Sequence, residues 1–156
     1  MESEQAMHSP YERIRHTHVS PFSQYLEGSE DALFCIVSSS PLSAAGKNAL
    51  LATAKQLGYH EKQLAFIVLS KDEQTLSPQD LFTIIEALDP QCVVCTDHEA
   101  VRVASAGYNT PLALETREYL LGRNCCCFEA FEDMLANNEL KQKAWACLKT
   151  LPALAH

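Results

Sequence analysis

A chain of 156 residues, 47% apolar and 21% charged, holds enough material for one packed domain and too little for two. Twelve Lys and Arg against 20 Asp and Glu give a formal charge of −8, which argues against a broad basic footprint for nucleic acid, because phosphate neutralisation supplies most non-specific affinity, and leaves nucleic acid a disfavoured partner that only a local basic patch could hold. No window holds the roughly 18 consecutive apolar residues of a membrane span, and residues 1–9 lack the regions of a secretory signal, so the expected setting is the cytoplasm with no membrane partner.

Residues 1–28 mix His, Ser, Pro and charges without a sustained period and are expected to form an irregular arm that crosses the surface or is partly disordered. The remainder, 29–156, reads as a single domain. Ala32-Leu33-Phe34-Cys35-Ile36-Val37 is a continuous apolar run closed by Ser38-Ser39-Ser40-Pro41, the pattern of a strand buried on both faces. Ser43 caps a helix carrying Leu50, Leu51, Ala54 and Leu57 at three- and four-residue spacing, with Gly58 as its left-handed terminator. A second strand covers 64–69. Ser77-Pro78 opens a helix whose Leu81, Ile84, Ile85 and Leu88 share a side, and Asp89-Pro90 stops it.

Cys92-Val93-Val94-Cys95 is the third strand, followed by a helix over 98–106 that Gly107 ends. Residues 112–114 read as a brief strand, 125–128 as the fourth core strand and 139–151 as a closing helix. Strands alternating with helices imply right-handed crossovers, giving a three-layer α/β/α domain with a mainly parallel four-stranded sheet.

Ligands gather beyond the carboxyl ends of the strands in such a sheet. That rim collects the candidate ligand-binding residues Ser38, Ser39, Ser40, Lys71, Thr96, Asp97, His98, Glu129 and Phe131. The three serines offer hydroxyls and N–H groups to an anion, or simply make turn and capping bonds. Asp97-His98 reads as an acid–base pair or as an N-cap with a first-turn histidine. Residues 41–48 do not make a phosphate loop, since Pro41 and Asn48 stand where that motif needs Gly and Ser or Thr.

Seven cysteines, an odd count lying mostly in apolar patterns, suit reduced, buried side chains rather than disulfides. Cys92-x-x-Cys95 has ligand spacing but its side chains alternate across a strand, as do those of Cys125, Cys126 and Cys127, so no metal and no cofactor is expected. His16-x-His18 in the arm reads as solvated, and Lys141, Lys143 and Lys149 as the wet face of the last helix, opposite Trp145 and Leu148.

Cys125-Cys126-Cys127-Phe128, the segment 131–141 after it and the terminal helix with Trp145 resemble the closing part of the uracil-DNA glycosylase superfamily, especially its iron–sulfur bacterial and archaeal branch. The likeness runs from about residue 32 to 151, taking in the segment 41–59 and the helix, turn, strand and helix start of 84–104. It implies the glycosylase scaffold. The functional positions differ. Ser38-Ser39-Ser40-Pro41-Leu42 stands where that family has its Gly-Glu-Ala-Pro-Gly loop, Val68 where an Asn reads the uracil edge, with Lys71 matching a later lysine. Ala130-Phe131-Glu132 replaces the His-Pro-Ser loop, and the cluster cysteines have no counterparts, Asp72 following Lys71 where one is expected.

Together these substitutions remove water activation, base recognition and leaving-group stabilisation, while Glu129, Glu132 and Asp133 place negative charge where a DNA backbone would pass. The resemblance therefore implies a scaffold without base-excision chemistry, a binding or regulatory module for a small molecule or a protein. An enzyme of different chemistry on a nucleobase- or nucleoside-like molecule stands beside it, with Ser39 or Ser40, Asp97, His98 and Glu129 converging, as does a residual DNA glycosylase. A third reading docks the arm on a partner or on a second copy.

Overall fold

A computed structural model describes residues 9–154. Helix α1 (Pro10–Val19) leads through a 3-10 segment (Ser20–Tyr25) into β1 (Leu26–Gly28), then β2 (Phe34–Ser38), α2 (Ala44–Gln56), β3 (Leu64–Val68) and a small hairpin of β4 (Ser70–Lys71) and β5 (Gln74–Thr75). Next come α3 (Pro78–Leu88), β6 (Cys92–Cys95), α4 (His98–Tyr108), β7 (Arg117–Leu120), β8 (Arg123–Cys127), α5 (Phe131–Met134) and α6 (Asn138–Leu148).

The main sheet has six strands in the order β1-β3-β2-β6-β8-β7. The four central strands run parallel, as the apolar runs predict, but β1 and β7 flank them antiparallel and make the sheet mixed rather than four-stranded. β7 replaces the strand expected at 112–114. It pairs with β8 across the two-residue turn Leu121-Gly122, both residues at positive φ, where the leucine gives no turn signal of its own.

Side chains alternating along the strands feed two separate apolar clusters. Cys35, Val37, Ala65, Ile67, Val93 and Cys95 meet α3 and α4 on one face, with Val19 of α1. Phe34, Ile36, Phe66, Val94, Cys126 and Phe128 meet α2, α5 and α6 on the other. Helices thus cover both faces of the sheet.

Most helix ends follow their residues. Ser43 and Ser77 accept from Gly46 N and Asp80 N, Gly58 takes φ +93, and Asp89 ends α3 in the left-handed region. Gly107 does not end α4, which runs on to Tyr108 and closes at left-handed Asn109. It serves a close approach instead, since a Cβ there would lie 2.6 Å from the Pro78 carbonyl oxygen at the start of α3.

The irregular arm is corrected too. Residues 1–8 lie outside the described residues, but Ser9 and Glu12 form a reciprocal capping box with Pro10 in the first turn, and α1 packs on α3. Tyr25 is buried, and Arg15 donates to the Glu30 carbonyl and the Asp31 carboxylate. His16 meets Glu30 at 3.0 Å. The arm is a covering layer of the body.

Candidate functional site

Consecutive crossovers place β3 on one side of β2 and β6 on the other, so the winding reverses between β2 and β6. Ser38-Ser39-Ser40 and Thr96-Asp97-His98 leave the sheet there, with Glu129 and Ala130 beside them at the end of β8. The structure brings these residues to one rim, and its bonds show how they are used.

Ser38 and Thr96 are buried and extend the sheet. The Ser38 carbonyl accepts from Leu69 N, while Thr96 donates both its N–H and its hydroxyl to the Val37 carbonyl. Asp97 joins two elements with one carboxylate: Oδ1 caps α4 by accepting from Ala100 N at 2.9 Å, and Oδ2 accepts from Ser39 N at 2.8 Å. Of the two readings of Asp97, the cap is the one the bonds fit. Ser40 is exposed, and among the described residues neither the Ser39 nor the Ser40 hydroxyl bonds to His98 or Glu129.

A second carboxylate closes the start of α2. Glu132 Oε1 accepts from Ser43 N at 2.7 Å and from the Ser43 hydroxyl, over a first turn where Gly46 leaves the room. A Cβ on Gly46 would stand 2.5 Å from that oxygen. A negative side chain on the free N–H groups of a helix start satisfies the donors that an incoming anion would use. Glu132→Ala is expected to cost about 1 kcal/mol, its exposure holding it near the low end for a charged hydrogen bond, and to lower Tm by roughly 2–4 °C in calorimetry. An unchanged Tm would mean that the bridge carries no stability.

His98 N donates to the Glu129 carbonyl, and His98 Nδ1 lies 3.4 Å from Glu129 Oε2, with both side chains more than half exposed. Lys71 is exposed on the β4–β5 hairpin and lines an open groove of about 630 Å³ with Val68, Pro41 and residues 23–27 of the arm. Phe131 donates its N–H to the Thr96 carbonyl at the rim, but its side chain turns away into the core. It is 2% exposed and stacks on Phe128 with ring centroids 5.4 Å apart, because the chain turns inward after β8 to cover the α2 face of the sheet.

The chain matches no known family model and no curated protein sequence.

One constellation escaped the sequence reading. Cys95 and Cys127 are direct partners in the β6–β8 register, and Cys125 lies two residues back on the same face. The three buried Sγ atoms lie within 4.8 Å of one another, those of Cys125 and Cys127 at 3.6 Å. Hydrogen bonds from Cys125 and Cys95 hold Cys127 below its ordinary thiol range against the opposing effect of burial. Bonding to Cys127 and Cys95, then burial, push Cys125 up. Period-two alternation pairs Cys125 with Cys127, but only the strand order adds Cys95.

Proposed function

We propose that this protein is a cytoplasmic, uracil-DNA glycosylase-like domain that does not excise bases and acts as a binding or regulatory module through the groove at the carboxyl ends of its strands. The observation that carries the reading is the pair of internal carboxylates at the rim. Asp97 takes the Ser39 N–H and Glu132 takes the start of α2, so a phosphate approaching either donor set meets a negative charge already in place. Four central parallel strands with helices on both faces support the scaffold part of the proposal. Seven free, buried cysteines fit a reducing compartment, and no described helix is long and apolar enough to cross a membrane.

The groove beside Lys71 offers both signs of charge, from Lys71 and from Asp72 and Glu27, over a partly apolar floor of Val68, Pro41 and Leu26. A small polar molecule or a protein segment suits such a lining better than a nucleic-acid backbone. Incubation with uracil-containing single- and double-stranded oligonucleotides tests the first half of the proposal. No abasic product is expected, and cleavage that disappears in Asp97→Asn or His98→Ala would overturn it.

The His98–Glu129 pair favours a second reading, a different chemistry on a nucleoside-like molecule, because a carboxylate at Nδ1 orients imidazole for proton transfer through Nε2. Free nucleosides in the same assay separate the two: turnover lost in His98→Ala supports the second reading, and inert wild-type protein counts against it.

A further inference from the structure

The geometry points to a binding site for a trivalent thiophilic ion, arsenic(III) or a chemical relative, made by Cys95, Cys125 and Cys127 between β6 and β8. Three thiols from two adjacent strands face one another, their Sγ atoms all within 4.8 Å, close enough for one ion to draw in all three. Cysteine sulfur is the soft ligand that such ions take. The site depends on none of the rim chemistry described above.

Charge decides among soft ions. The trio belongs to an apolar cluster with Ala100, Val103 and Ala104 of α4, where net charge is costly to bury. Three thiolates around a monovalent ion would leave two negative charges there, and around a divalent ion one. Arsenous acid leaves none: As(OH)3 and three Cys–SH give As(S–Cys)3 and three waters. Three As–O and three S–H bonds break, three As–S and three O–H bonds form, and no electron is transferred. Zinc normally takes a fourth ligand, and among the described residues no further His, Cys, Asp or Glu joins the trio.

Because the cluster is buried, entry requires local opening of the surrounding elements, and slow binding is expected.

Reduced full-length protein incubated with arsenite under argon, and followed by native mass spectrometry, is expected to gain one arsenic and lose three protons. Tm should rise by roughly 5–10 °C at about 100-fold excess over Kd, whereas zinc should leave it unchanged. Alanine at Cys95, Cys125 or Cys127 should weaken binding at least about tenfold, and alanine at Cys35 or Cys147 should not. Should a trio variant fail to fold, the proton count of the wild-type adduct still decides. No adduct, fewer than three protons lost, or tighter binding of zinc would overturn the proposal.

Discussion

Asp97→Ala is expected to lower Tm by roughly 5–15 °C, corresponding to about 2–4 kcal/mol, with the far-ultraviolet spectrum of the folded state retained. The size follows from two losses at one residue. An N-cap is removed from α4, and the Ser39 N–H that met a carboxylate at 2.8 Å loses its partner at the point where β2 leaves the sheet. Asp97→Asn keeps one oxygen for Ala100 N but turns an amide toward Ser39, so roughly half the loss is expected. Calorimetry on the three proteins decides the matter. An alanine variant that melts with the wild type, or an asparagine variant as unstable as alanine, would show that the carboxylate does not tie the two elements.

Gly28→Ala is expected to be comparably damaging, at about 3 kcal/mol or more, by a backbone mechanism. Gly28 closes β1 at φ +117, opposite Ala65 of β3. A Cβ there would sit 2.5 Å from the Leu64 carbonyl oxygen, which has no freedom to rotate away. The cheapest relief is to release β1 from β3, and the 3-10 segment before it would loosen as well. Amide hydrogen exchange should therefore report lost protection at 26–28 and on the outer edge of β3, with β6 and β8 unaffected. Wild-type protection of β1 in the variant would refute the steric argument.

The central strands and most caps were legible because each is written locally. A run such as Phe34-Cys35-Ile36-Val37 is fully buried, and Ser77-Pro78 with Asp80 places its own helix start. Helix α1 was missed for the opposite reason. Ser9 and Glu12 carry the capping signal, but most of the helix surface stays exposed and no apolar period runs through it. Gly107 shows how one residue type serves two needs. A glycine near a helix end reads as a terminator, whereas here it clears space for another helix.

The rim was legible as a place and less so as chemistry. Sequence puts Ser39, Asp97 and Glu129 at strand ends, but Asp97 reaching across to Ser39 N and Glu132 reaching α2 are long-range bonds that no local pattern announces. Phe131 was misplaced because an aromatic just past a strand suits a ligand-stacking wall and a core plug equally well, and the inward turn after β8 selects the plug.

Both margins of the sheet are short. β1 spans three residues, and β7 spans four, carrying Arg117 and Glu118. Brief, charged borders offer little template for another polypeptide to zip alongside, which guards against ribbon-like aggregation.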